Sequence, residues 1–171
     1  MSSDPHPTDP IGRALRLLCD LSAALGGVIL VAMACMTVVS VIGRAFFSHP
    51  ILGDVELVQL GCAVVVAAFL PYTQYRRANI IVDFFTTGAS ARTQRLMDAF
   101  GTLLYTLVVA LIAWRVAIGG IDIRAAGESS MLMNLPLWIP YALMVPGLAL
   151  CVLIGLFQTL QLWRSAPGAL A

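Results

Sequence analysis

Four long apolar runs, separated by short stretches that hold nearly every charge, set the pattern of this chain. Leu21 to Gly43 carries no charge, and neither does Leu57 to Tyr75. Ala99 to Trp114 is charge-free and continues past Arg115 to Ile121, and Ser129 to Trp163 has no charge at all. A bilayer core of roughly 30 Å is crossed by about 20 apolar residues of helix. The pattern predicts an all-α integral membrane protein with four transmembrane helices, over about residues 21–43, 57–75, 97–121 and 137–163 of a single membrane domain spanning 1–171.

Thr8-Asp9-Pro10 reads as a helix start, with Asp9 as the cap and Pro10 in the first helical position. Ile11, Ala14, Leu15 and Leu18 then make an apolar face beside Arg13 and Arg16. This predicts a short amphipathic N-terminal helix at the membrane surface, within a cytoplasmic segment 1–20. Asp4 and Asp9 stand where a signal peptide needs basic residues, so no cleavable leader is expected. Between the second and third runs, Asn79 to Phe85 is apolar with two polar residues, which predicts an interfacial inner loop broken at Gly88.

Composition agrees: 60% of residues are hydrophobic and 11% charged, far from a soluble balance. All ten basic residues are Arg. With the N-terminus inside, Arg13, Arg16, Arg76, Arg77, Arg92, Arg95 and Arg164 lie on the cytoplasmic side and Arg44, Arg115 and Arg124 outside. The positive-inside rule then favours both termini in the cytoplasm. Phe46, Phe47, Tyr72, Tyr75, Trp114, Trp138, Tyr141 and Trp163 mark the two interfaces. Small residues at Ser22, Ala23, Gly26 and Gly27, and at Gly61, Ala63, Ala67 and Ala68, let helix backbones approach closely, either within this chain or against a partner.

The polar inventory excludes several functions. Asp20, Arg44, Asp54, Glu56, Asp98 and Arg115 are all expected at span ends, with Arg115 close enough to the outer interface to snorkel. No ionisable group is therefore expected near the midplane. Gln59, Thr102, Thr106 and Gln158 are uncharged and scattered. His6 and His49 are the two histidines, both outside the spans, so no membrane haem is expected. The four cysteines lack a C-x-x-C spacing, which argues against a disulfide-forming enzyme. No Gly-rich phosphate loop or nucleophile elbow is present. Neither an enzyme, a cofactor, a metal nor a nucleic-acid partner is expected. A membrane-embedded subunit supporting another protein remains.

Three stretches sharpen this. They are Gly43-Arg44-Ala45-Phe46-Phe47; the segment from Ile51-Leu52-Gly53-Asp54-Val55-Glu56-Leu57 through the second run to Leu70-Pro71-Tyr72-Thr73-Gln74-Tyr75-Arg76-Arg77-Ala78-Asn79-Ile80-Ile81-Val82-Asp83; and Leu135-Pro136-Leu137-Trp138-Ile139-Pro140-Tyr141 with Pro146-Gly147. In order, spacing and four-span length, the chain resembles the small integral-membrane subunit of tripartite ATP-independent periplasmic (TRAP) transporters, the DctQ-like family, over about residues 10–164. The resemblance implies a sodium-coupled importer of small organic acids or similar solutes in a bacterial inner membrane. A periplasmic solute-binding protein would capture the solute transiently, a large polytopic subunit would carry it, and this chain would brace that subunit in the lipid bilayer. Asn79 stands where the family often has His.

Against that background Arg44 is expected to pair with Glu56, beside Asp54, and to fix the outer turn between the first two spans; independent solvated charges are the alternative. Asp83 with Arg76 and Arg77, and the hydrogen-bonding Asn79, are candidates for contact with the large subunit or headgroups, or are simply topology-setting. Asp122, Arg124 and Glu128 are expected in a second outer loop, where charge could help dock the solute-binding protein or merely be solvated. Trp138 is a further candidate contact. The rival function is a stand-alone homo-oligomeric transporter or a membrane-protein assembly factor.

Overall fold

The computed structural model describes residues 10–47, 51–76 and 91–165. Those residues form four helices: α1 (Pro10–Phe47), α2 (Asp54–Tyr75), α3 (Ala91–Ala126) and α4 (Trp138–Ser165). Each contains a segment long and apolar enough to cross a membrane: Gly12–Phe46, Asp54–Tyr75, Met97–Ala126 and Trp138–Leu162. The architecture is that of an all-α membrane protein, as the apolar runs predict. The proposed interfacial loop, with Arg77, Asn79 and Asp83, lies outside the described residues.

Two boundaries differ from expectation. The amphipathic segment after Pro10 is helical, but it is not a separate surface helix. It runs without a break into the first span as one 38-residue helix. The reason is local: Arg13 to Leu25 is mostly Ala, Leu and Arg, with no Gly or Pro, and such residues favour helix continuation. At the other limit, α3 runs on to Ala126. Asp122 and Arg124 are therefore in its last turns rather than in a loop. Arg115, expected near a span end, is exposed eleven residues before the end of α3, about 16 Å along its axis.

The helices do not close around a common centre. They stand in a row with α1 beside α2, α2 beside α4 and α4 beside α3. Contact between α1 and α4 is slight, and α3 makes no comparable contact with α1 or α2. Three seams hold the row. In the first, Gly26 lies against Ala68, Gly61 lies under the Met33 side chain, and the Ser22 hydroxyl donates to the Ala68 carbonyl at 2.7 Å. Ser22 and Gly26 thus pack within the chain, whereas Gly27 faces open space.

The second seam depends on two prolines. Pro71 sits inside α2 and cannot donate to the carbonyl of Ala67, four residues back. Gly147 of α4 lies directly against that carbonyl, and a Cβ there would collide with it. Pro146 precedes Gly147 inside α4, whereas Pro140 falls in the helix's first turn, where its missing donor costs nothing. In the third seam Gly155 accommodates Thr106, and Tyr141 lies over Gly119 and Gly120. Ala67, Val109, Leu148 and Cys151 form the small buried core between α2, α4 and α3.

Candidate functional site

The α1–α2 turn and the α3–α4 connection share one end of the row, called here the loop end. Gly53 opens α2 with φ 77°, a left-handed conformation that suits glycine, and the Met133 side chain fills the place of its missing Cβ. Asp54 then begins the helix, where a carboxylate meets the positive end of the helix dipole. Its Oδ2 accepts from the buried Ser40 hydroxyl at 2.6 Å and lies 3.6 Å from the Arg44 guanidinium. Its Oδ1 accepts from the Val55 amide at 2.8 Å.

Arg44 therefore pairs with Asp54 and not with Glu56. Two residues along a helix turn the side chain by about 200°, so the two acids of Asp54-Val55-Glu56 face opposite neighbours. Ser40 and Arg44, one turn apart on α1, meet the first. Glu56 faces the α3–α4 connection instead. Its carboxylate accepts from the Ser130 hydroxyl at 2.7 Å, the Leu132 amide at 3.0 Å and the Met133 amide at 3.3 Å.

That connection is a compact hooked loop. Gly127, at φ 67°, ends α3: its amide donates to Arg124 and the Glu128 amide to Ile123, the paired bonds of a Schellman cap. The Ser130 amide donates to the Leu135 carbonyl and the Leu137 amide to the Glu128 carbonyl. Asn134, at φ 52°, turns the tip and accepts from the Ser129 hydroxyl at 2.6 Å. The tip is apolar, with Met131 99% exposed. Trp138 starts α4 with the Arg124 guanidinium 4.8 Å from its ring centroid, a cation–π contact. Asp122 and Glu128 are exposed beside this loop. Glu56→Ala is expected to speed hydrogen exchange at Leu132 and Met133 on the order of tenfold, because a loop held by few bonds opens locally. Unchanged exchange, read by mass spectrometry, would show that the loop's own backbone bonds suffice.

At the opposite end, two glutamines that look unremarkable in sequence make a buried clamp. Gln74 Nε2 donates to Gln158 Oε1 at 3.1 Å. Gln158 Nε2 donates back to the Gln74 carbonyl at 2.9 Å and reaches the Tyr75 carbonyl at 3.4 Å. The carbonyls at the end of α2 are thus capped by a side chain from α4, which satisfies groups a helix terminus leaves open. Beside them, the Arg76 guanidinium lies 5.3 Å from the Tyr72 ring centroid.

Between α1, α2 and α4, toward the loop end, lies an apolar cleft of about 390 Å³ lined by Met33, Met36, Leu57, Leu60, Ile139 and Leu143 among others. No titratable side chain lines it. Among the described residues no cluster of His, Cys, Asp or Glu could hold a metal ion. The arrangement fixes helices and a loop, and it offers no nucleophile–base pair.

Of the sequence candidates, the structure brings Arg44 to Asp54, Glu56 to Ser130, and Trp138 to Arg124, and leaves Asp122 and Glu128 exposed. Ser40, Ser130 and Gln74 are groups that sequence reasoning did not single out, and Gln158, read there as a scattered polar residue, is paired with Gln74. Residues 33–165 match the family described as tripartite ATP-independent periplasmic transporters, DctQ component. No curated protein and no solved structure matches the chain.

Proposed function

We propose, from the premise that this chain belongs to the DctQ component family of the tripartite ATP-independent periplasmic transporters, that it braces the large transport subunit of a sodium-coupled importer of small organic acids. Membership makes it a multi-pass membrane component of a transporter, not an enzyme. Such transporters imply association with a large membrane subunit and a solute-binding protein. The observation that supports bracing is the open row of four helices, which leaves α1 and α3 as unshielded edges. A row with two apolar flanks offers surface to another membrane protein, where association depends on close packing rather than on expulsion of water.

The arginine distribution supports an orientation with both termini in the cytoplasm of a bacterial inner membrane. The loop end then faces the periplasm. Asp122 and Glu128 would there shape encounter with the solute-binding protein, through rate and salt sensitivity more than affinity. The test is purification of a tagged copy in mild detergent from its native membrane, with mass spectrometry of what accompanies it. A stoichiometric large polytopic protein is the expected companion. A lone chain or homo-oligomer, reproduced in native nanodiscs, would defeat the bracing role.

A further inference from the structure

Among the described residues, Arg115 is the one charge that the row leaves deep in its apolar slab. It is exposed on α3, and among the described residues it has no ion pair or hydrogen-bond partner. Its depth follows from its neighbours. The Arg124–Trp138 contact marks the interfacial level at the loop end. Arg115 lies nine residues below Arg124 on a continuous helix, about 13 Å along the axis. Half of a bilayer core is only about 15 Å, and an ordinary tilt of about 20° hardly shortens the distance.

Snorkelling to that interface works against the helix itself. Side chains on a helix lean toward its N-terminus, and the N-terminus of α3 is at the far end. Asp98, at that far end, is seventeen residues away, about 25 Å. Asp122 is two turns nearer the loop end and forms no ion pair with Arg115. Around Arg115 the exposed face is apolar: Leu111 is 63% exposed, Trp114 67% and Ile112 46%. A guanidinium left facing acyl chains at this depth is costly, and such groups are normally met by a partner or by water. The α1 edge, by contrast, offers only apolar residues through its middle, such as Leu25, Val28 and Val31.

We propose that the exposed face of α3 around Arg115 is the docking face for the large membrane subunit, and that a carboxylate on a membrane helix of that subunit receives the Arg115 guanidinium. The inference rests on the bracing role above and adds to it the edge used and the chemistry of the contact. A bidentate Arg–carboxylate pair inside the bilayer fixes register as well as affinity. Flanking Leu111 and Ile112 supply the apolar surround that keeps water out.

The experiment uses the intact complex in its native membrane. Ile112 is replaced by a benzoyl-phenylalanine photo-cross-linker, and Val31 of α1 by the same group as a comparison. The expected cross-link from position 112 maps to a peptide of the large subunit that carries an Asp or Glu within an apolar span. Arg115→Leu is expected to lower retention of that subunit about tenfold or more, since it strands a buried carboxylate. Its own thermal stability should not change, because the side chain is exposed. Arg115→Glu should abolish retention, and exchanging the cross-linked acid for Arg should restore it. Cross-links to lipid or to a second copy alone, or full retention with Arg115→Leu, would overturn the proposal while the wild-type complex still upholds the bracing role. If the wild type retains no large subunit, the bracing role fails and the proposal falls with it.

Discussion

Gly147→Val is expected to be the most damaging single substitution in the chain. The glycine stands against the Ala67 carbonyl that Pro71 leaves without its helical donor. A side chain there meets backbone, which cannot rotate aside, so α2 and α4 must separate along their whole contact. Overpacking ordinarily costs about 1–3 kcal/mol; here the expected loss is at the top of that range or beyond it. The internal comparison is a glycine series measured by thermal unfolding in lipid nanodiscs. Gly155→Ala meets the Thr106 side chain, which can shift at the expense of its 2.7 Å bond to the Thr102 carbonyl, so its cost should be intermediate. Gly27→Ala meets nothing within 4 Å and should stay within about 1 kcal/mol of wild type. Equal losses at Gly147 and Gly27 would refute the close-approach argument.

The second large effect is expected at the buried amide clamp. Gln158→Leu removes the acceptor for Gln74 Nε2 and the donor to the Gln74 and Tyr75 carbonyls. Leaving buried polar groups unmatched costs about 1–3 kcal/mol. Interhelical hydrogen bonds in bilayers average nearer 0.6 kcal/mol, so about 1–2 kcal/mol is the expected outcome. The pair should also couple. Because the contact joins residues on two helices, Gln74→Leu combined with Gln158→Leu should cost less than the two single losses added together. Strictly additive losses in a double-mutant cycle would mean that the clamp contributes little and that apolar packing alone holds α2 to α4.

The four spans were legible because an apolar run of bilayer length has few other readings. The small-residue stripes were legible too, though only the structure separates Gly26, packed on Ala68, from Gly27, which faces outward. Other features were not legible, for reasons of geometry. Whether Arg44 meets Asp54 or Glu56 depends on how α2 is rotated about its axis, and two residues of spacing reverse the direction. Gln74 and Gln158 are 84 residues apart, and nothing local in either segment announces the other. The break expected after Asp20 was inferred from amphipathicity, but a helix ends where its residues or caps end it, and none does so there. Arg115 was placed near an interface because the third span was expected to end at Ile121, six residues on; α3 instead continues to Ala126, with Tyr141 packed over Gly119 and Gly120. The match to residues 33–165 supports the family resemblance carried by the turn and proline segments.

The spatial order of the row differs from the order in which the ribosome makes it. The hairpin of α1 and α2 has its whole seam available as soon as residue 75 has left the exit tunnel. The next helix to enter the membrane, α3, finds no comparable surface on that hairpin, because the helix it rests on has not yet been synthesised. For that interval it lacks the helix that it packs against in the finished row. The last helix must then slot between two that are already inserted, pressing Gly147 onto Ala67 on one side and Gly155 onto Thr106 on the other. A nascent chain halted before Trp138 would hold the α1–α2 hairpin and an α3 without its packing partner, so α4 is the element that joins the two parts of the row.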